Sequence, residues 1–354
     1  MARRPSPTQQ QRRLFASLTA KLEPSLRDAF NAAAQDLKDG VAFADLVRAL
    51  ADGNVEAAIA ALNIEPASFY AYGTAKTQAY AQGGAMAATT INAPAGGNIV
   101  FRFDMANPRA EAWIAENVGQ KITGELLPET IDAVRQTIAS GYAKGAHPHT
   151  IATDIAGRVF GGQRTGGILG LDGPRADRLR IVTEGMRTAG GVQDLVIMGR
   201  DGVPRVRYKV NAATEKAILR AYAAGGAVPE AQQIKAAQQY SNKLLSERAQ
   251  MVARTETGQA VMSARAEEWR QAAEKLGYPP EAISKTWRHG SGSPEARPDH
   301  EAMNGKTVQG LNTPFVFPDG AAKQHALDGV GGAKHDAACG CGTDFRLDHT
   351  LGLT

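Results

Sequence analysis

The sequence predicts a protein that is mainly α-helical in its N-terminal and middle regions and ends in a small, loop-rich α+β domain. Alanine is abundant, and aromatic residues make up only 6% of the 354 residues. Alanine favours helices because it loses no side-chain entropy in them. In residues 284–354, by contrast, glycine and proline are frequent and the helical periodicity fades. A chain of this length corresponds to roughly two or three domains.

The first region, residues 1–98, is predicted to be a helical adaptor. Its clearest helix covers residues 12–38, where apolar side chains recur at helical spacing, and Asp39-Gly40 ends it. We expect Pro24 to kink or split this helix. The apolar positions are Leu14, Phe15, Leu18, Leu22, Leu26, Phe30, Ala33 and Leu37.

The second region, residues 99–228, is predicted to be mixed but mostly helical. Residues 99–103 form a short strand candidate, and Asn107-Pro108 supplies an N-cap followed by a proline at the first helical position. Residues 195–198 and 205–210 are predicted to pair as a hairpin. In the second strand of that hairpin, apolar and basic residues alternate, which gives one apolar and one basic face.

The remaining regions are a long helical segment, residues 229–283, and the α+β domain, residues 284–354. An apolar stripe from Leu244 to Leu276 predicts one long helix or two, with Thr257-Gly258 as the break point. Trp269 belongs to this stripe. The segment is expected to end before Pro279-Pro280.

For two motifs in the second region, a structural interpretation is favoured over a binding site. Residues 161–174 are rich in glycine but lack the Gly-Lys-Ser/Thr ending of a phosphate-binding loop, which favours an exposed, permissive loop. His147 and His149 flank a proline and have no cysteine or acidic partner nearby, so a helix cap is favoured over a metal site. No serine, histidine and aspartate order typical of a hydrolase stands out.

Basic residues are unevenly distributed, although the net charge is only +4. Residues 1–22 contain no acid and residues 158–220 carry a net charge of +6, whereas residues 284–354 carry a net charge of −1. Contacts with double-stranded DNA phosphates are therefore expected from the N-terminal tail and the middle region. A solvated face is the alternative interpretation of the basic strand. The candidate contact residues are Arg3, Arg4, Arg12, Arg13, Arg205, Arg207 and Lys209.

No apolar run reaches the roughly 20 residues that a membrane span needs, so we expect no membrane partner. The first residues also lack the apolar core of a secretion signal. With only two cysteines, a disulfide framework is not expected, and a reducing compartment is the simpler assumption.

Histidine and cysteine gather near the C-terminal end of the sequence. His335, Cys339 and Cys341, with His300 or His349, would supply four ligands suited to tetrahedral zinc. The alternative is two reduced thiols in a surface loop. His300 to Asn304 resembles the zinc-protease pattern H-E-x-x-H, but asparagine replaces the second histidine and Gly305 follows, so we reject that enzyme class. The predicted metal residues are His300, His335, Cys339 and Cys341.

Four segments together resemble the Mu F-like head morphogenesis family of phage minor head proteins. The most specific is Arg254-Thr255-Glu256, which follows a long helical stretch. Trp287 through Val308, with Arg297-x-x-His300 inside it, is the second. The other two are residues 164–171 and residues 101–113. The resemblance covers residues 99–348, and residues 1–98 show no resemblance that we can name.

The resemblance implies a low-copy structural protein of the virion, not an enzyme. Such a protein is assembled into the procapsid in the host cytoplasm and lies inside the capsid with the portal, scaffold and capsid proteins, in some relatives contacting DNA. Two departures stand out: an acid that often follows the family's tryptophan is missing in residues 289–293, and the family's Cys-Arg-Cys is Cys339-Gly-Cys341 here.

The rival hypothesis is a metal-dependent nuclease or effector enzyme that uses the C-terminal histidines and cysteines. A metal with an open coordination position would favour it, and a closed four-ligand site would favour the structural role. A cellular DNA-binding protein is a third, weaker class, because the basic excess is modest.

The Arg254-Thr255-Glu256 segment is predicted to be an interdomain junction. Arg254 and Glu256 point in different directions on a helix, and Gly258 permits a close approach. We therefore expect Arg254 or Glu256 to make a charge-assisted contact with residues 284–348, with Arg297, Asp299 or a loop carbonyl as the partner.

Overall fold

The structure, a computed structural model, describes residues 7–92, 100–290, 297–348 and 351. Long helices dominate the N-terminal and middle regions, and small antiparallel sheets occupy the C-terminal region, which confirms the predicted fold class. Arg3, Arg4 and His349 lie outside the described residues.

Helices form most of the described chain. In order they are α1 (Pro7–Asp39), α2 (Phe43–Ala51), α3 (Val55–Ala60), α4 (Tyr70–Asn92), α5 (Pro108–Ile114), α6 (Leu127–Ala143), α7 (Pro148–Ala156), α8 (Gly173–Gly185), α9 (Ala189–Leu195), α10 (Ala212–Ala223), α11 (Glu230–Leu276), α12 (Pro298–Ala302) and α13 (Gly332–Asp336). Short 3-10 turns cover Pro66–Phe69 and Pro280–Ala282, and π-helical turns cover Ala115–Gln120 and Ile122–Leu126.

The strands are short and antiparallel. They are β1 (Arg158–Phe160), β2 (Gln163–Thr165), β3 (Val196–Met198), β4 (Pro204–Val206), β5 (Ile283–Arg288), β6 (Thr307–Gln309), β7 (Phe315–Val316), β8 (Ala322–Lys323) and β9 (Gly342–Leu347). Strands β1 and β2, β3 and β4, and β7 and β8 form two-stranded pairs, and β6-β5-β9 is a three-stranded sheet. In that sheet Lys285 lies opposite both Val308 and Phe345.

The chain forms two compact units, each built from separate stretches of sequence. Unit 1 comprises Met1–Ala29, Tyr72–Gln120 and Gln250–Thr354, and unit 2 comprises Phe30–Ala71 and Lys121–Ala249. The sequence divides the chain instead into four consecutive regions. Periodicity shows where an element ends, but it does not show which distant elements pack together.

Unit 2 has an aliphatic core. Leu46, Val134, Ile155, Val182, Ile218 and Leu244 are among its buried side chains, contributed by α2, α6, α7, α8, α10 and α11. The buried guanidinium of Arg248 donates to the carbonyl oxygen of Gly170 at 2.9 Å and to Glu129 at 2.5 Å. These bonds satisfy a charge that burial would otherwise destabilise.

Unit 1 is organised around α4 and α11, which approach each other closely. A Cβ at Gly83 would lie only 2.8 Å from the Cα of Val261, so glycine is required at this contact. Phe15, Met262, Trp287, Phe315 and Leu327 belong to one buried cluster beside these helices. This cluster also contains Cys339 and Cys341, so the fold places both cysteines in the core of unit 1.

Several local predictions are confirmed. The first long helix ends at Asp39, and the side chain of Asn107 caps α5 by accepting from the backbone N–H of Arg109. The ring of His147 caps α7 by accepting from the backbone N–H of His149, which agrees with the cap interpretation. The hairpin also forms, as β3 and β4.

Other local predictions are wrong or only partly right. Residues 100–103 form no strand, because Phe101 packs against helices α4 and α11 and no other described segment pairs with these residues. Helix α11 runs through Thr257-Gly258 without a break, and Pro24 does not split α1.

In the described residues, no helix combines the length and the apolar character that a membrane span requires.

Candidate metal centre

The candidate donor residues come from two segments of unit 1. His300 lies in the short helix α12, which begins with Pro298, and Cys339 and Cys341 lie between α13 and β9. All three residues are buried, with 1%, 6% and 6% of their surface exposed. Their ligand atoms lie within 4.8 Å of one another, so this group could hold a metal ion such as zinc.

The distances within this group match zinc coordination. The Nδ1 atom of His300 lies 3.4 Å from the sulfur of Cys341 and 3.5 Å from the sulfur of Cys339. Zinc binds sulfur at about 2.3 Å and imidazole nitrogen at about 2.0–2.1 Å, so tetrahedral angles separate the two donor atoms by about 3.5 Å. The imidazole nitrogen and each sulfur are therefore spaced as two ligands of one zinc ion would be.

His335 was predicted to be a fourth ligand, but the structure places it behind His300. Its Nδ1 atom lies 3.0 Å from Nε2 of His300, and its Nε2 atom lies 3.0 Å from a carboxylate oxygen of Asp319. Asp319 also pairs with Lys334, which is the main reason why the pKa of Asp319 is held well below its usual range. A carboxylate, His335 and His300 thus form a chain of hydrogen bonds.

This chain determines which nitrogen of His300 is free to bind a metal. The ionised Asp319 accepts the Nε2–H of His335, so Nδ1 of a neutral His335 must accept the Nε2–H of His300. The lone pair of His300 is then on Nδ1, the atom that faces both thiols. Such outer contacts commonly orient metal-binding histidines.

The two thiols are unequal. Cys339 accepts hydrogen bonds from the thiol of Cys341 and from the backbone N–H of Cys341, and these lower its pKa against the opposing effect of burial. The same interaction and burial raise the pKa of Cys341. One thiolate is therefore favoured at neutral pH, and a thiolate is the form that binds metals.

The loop that carries the cysteines is held by residues from three other segments. Thr255 of α11 accepts the backbone N–H of Ala338 at 2.9 Å, and Arg297 donates to the carbonyl oxygen of Ala337 at 2.7 Å. A Cβ at Gly290 would lie 1.7 Å from the carbonyl oxygen of Gly340, so only glycine fits there. The sequence identified Arg297 as a candidate structural residue, but nothing in it predicted the close contact at Gly290.

Aromatic rings enclose the imidazole of His300. Trp287 meets it edge-on, with ring centroids 5.7 Å apart, and Phe317 lies at 5.2 Å. The tryptophan and Arg297-x-x-His300 of the family resemblance thus lie around one buried site. Because the site is closed by protein, it is suited to holding an ion more than to admitting a large substrate.

The structure gives Glu256 a partner that the sequence did not predict. Glu256 pairs with Lys76 of α4 and not with the expected Arg297, because its side chain points toward α4. Thr255, between the two charged residues, makes the contact with the cysteine loop. The sequence did not identify Lys76 as a candidate, because the residues around it give no indication that its side chain is buried.

The predicted DNA-contact residues fall in both units. Arg205, Arg207 and Lys209 of unit 2 are exposed, and the intervening Val206 and Tyr208 pack against the core, as the alternation predicts. Arg205 pairs with Asp201 at 2.6 Å. Arg12 and Arg13 belong to unit 1, where Arg12 lies 3.4 Å from Asp344.

No family model, curated protein or solved structure matches the chain.

Proposed function

We propose that this chain is a phage minor head protein, a structural component inside the capsid near the portal. One observation carries the proposal: residues of the Mu F-like resemblance meet around one buried centre in unit 1. Thr255 and Arg297 hold the cysteine loop, and Trp287 packs on His300. These side chains hold the domain together, which supports a structural role over catalysis.

In this proposal the metal centre is a structural zinc site. His300, Cys339 and Cys341 would hold the ion, which would join α12 to the loop before β9. Metal binding contributes directly to folding free energy in small domains. The described residues supply three donors, so the fourth would be a water or a residue outside this group.

Contact with packaged DNA is a second part of the proposal. Arg207 and Lys209 present their charges on an exposed edge next to the β3–β4 hairpin, and Arg205 adds a third. Within the described part of unit 2, no recognition helix accompanies them. Binding would therefore be weak and independent of sequence, since it would depend on phosphates alone.

Co-expression with the portal, scaffold and major capsid proteins of the same phage tests the main proposal. We expect the chain to sediment with procapsids at low copy number. The exposed-residue variant Lys216→Ala serves as a control and should be incorporated equally, whereas Trp287→Ala, which opens the core of unit 1, should not. If the wild-type chain stays with free protein at the top of the gradient, the proposal is wrong.

A further inference from the structure

Lys323, at the end of β8, is enclosed with two aspartates in unit 1. Its ammonium nitrogen lies 2.7 Å from Oδ1 of Asp328 and 3.1 Å from each carboxylate oxygen of Asp336. It also donates to the carbonyl oxygen of Val330. The three charged side chains are 0%, 6% and 9% exposed, so two carboxylates share one ammonium in a nearly dry site.

The ammonium and the two carboxylates are close enough to exchange a proton within the site. Low polarity disfavours ions, and two neighbouring carboxylates disfavour each other's ionisation. Burial is the main reason why the pKa of Asp336 is raised, although Lys323 opposes the shift. A proton passed from the ammonium to a carboxylate leaves an amine beside a carboxylic acid. Because the nitrogen is equally far from both oxygens of Asp336, it faces the carboxyl group as a whole, including its carbon.

We propose that Lys323 and Asp336 condense to form an intramolecular amide bond, with Asp328 transferring the proton. The Nζ lone pair attacks Cγ of Asp336, and a C–N bond forms. Asp328 takes a proton from Nζ and delivers it to the departing oxygen of Asp336. The C–O bond breaks and one water leaves, so the reaction needs no oxidant, reductant or cofactor.

The backbone between the two residues is shaped to bring them together. Gly329, Gly331 and Gly332 adopt positive φ angles, and a Cβ at Gly331 would lie 2.4 Å from the ring of His335. Leu327, which is not a glycine, also has a positive φ angle, 62°. Such conformations persist only where the surroundings impose them. An amide between Lys323 and Asp336 would hold this loop, which carries His335, in place.

The intact mass of the purified full-length protein, measured after denaturation, tests the proposal. We expect a mass lower than that of the sequence by about 18 Da, the mass of one water. Trypsin should then release residues 307–334 and 335–346 as one branched peptide, uncut after Lys323. A folded wild-type protein that keeps its full sequence mass after prolonged incubation would overturn the proposal, and this measurement requires no variant.

Two variants separate the amide from other dehydrations. Lys323→Arg keeps the charge but removes the amine nucleophile, so this variant should have the full mass of its own sequence. Asp336→Asn should still form the bond but lose ammonia, about 17 Da, in place of water. A cyclic imide at Asp328, which precedes Gly329, would lose the same mass as the amide but would persist in Lys323→Arg. A mass loss that persists in that variant would therefore also overturn the proposal.

Discussion

Lys76 and Glu256, 180 residues apart in the sequence, form an ion pair that is almost closed to solvent. The Lys76 ammonium also donates to the carbonyl oxygen of Asn117 at 2.7 Å and to the side chain of Gln259 at 3.1 Å, and it lies over the ring of Trp113. The pair joins α4 to α11 at the position of the Arg254-Thr255-Glu256 signature. Its role in unit 1 is therefore structural.

Glu256→Ala should destabilise the protein by about 3–5 kcal/mol, because the charge of Lys76 is left buried without its carboxylate. The free energy of unfolding, from urea denaturation, measures this effect. The double variant Lys76→Met with Glu256→Leu is the control, and it should recover most of the stability, since no stranded charge is left. Equal destabilisation in both variants would show that packing, and not the ion pair, is responsible.

Glu268 gives a prediction about pH. It is buried, and among the described residues its Oε2 atom has no hydrogen-bond partner. Burial, then the neighbouring Glu267, raises its pKa from 4.5 to about 8. Between these two values the unfolded chain is ionised at this position while the folded chain stays protonated. Glu268 therefore lowers stability progressively as pH rises through this window.

Glu268→Gln should remove this pH dependence, because glutamine does not ionise. The variant should be more stable than the wild type near pH 8 by on the order of 2 kcal/mol, with little difference near pH 4.5. Thermal unfolding at both pH values measures the difference. Glu274, an exposed residue of the same helix α11, is the matched control. Glu274→Gln should not reproduce the gain, and an equal gain in both variants would show that net charge, not burial of Glu268, is responsible.

Zinc binding should depend both on the ligands and on the residues that orient them through hydrogen bonds. Cys339→Ser removes a ligand and should abolish stoichiometric binding, whereas Asp319→Asn weakens the hydrogen bonds that orient His335 and His300 and should lower zinc affinity by about 10–100-fold. Competition with a coloured chelator measures both. His289→Ala, near the centre but outside the donor group, is the control. If Cys339→Ser binds zinc as tightly as the wild type does, the centre is misassigned.

DNA binding should fall when Arg205, Arg207 and Lys209 are replaced together by alanine. The log–log salt slope should become shallower by roughly 0.9 for each phosphate that is no longer neutralised. Fluorescence anisotropy with two unrelated duplexes measures the slope. The control removes the same number of exposed charges elsewhere in unit 2, at Lys216, Arg220 and Lys235. If the two triple variants behave alike, the edge next to the β3–β4 hairpin is not a specific DNA-binding surface.

Local features of this fold were predictable because they depend on neighbouring residues. The caps at Asn107 and His147 and the helix end at Asp39 are examples. The pairing of Lys76 with Glu256 was not predictable, because it depends on which distant helices pack together. For the site, composition identified His300, Cys339 and Cys341 as candidate ligands. Composition could not distinguish a metal ligand from a residue that orients a ligand. His335 lies behind His300 only because of the folded conformation of its loop.

The number of copies of this chain in each phage head, with and without the portal protein, tests the central claim most directly. Heads assembled from the co-expressed head proteins can be purified and analysed by quantitative mass spectrometry against the major capsid protein. We predict a low, reproducible copy number that falls sharply when the portal protein is omitted. Absence of the chain from complete heads, or incorporation that is indifferent to every head protein, would contradict the claim.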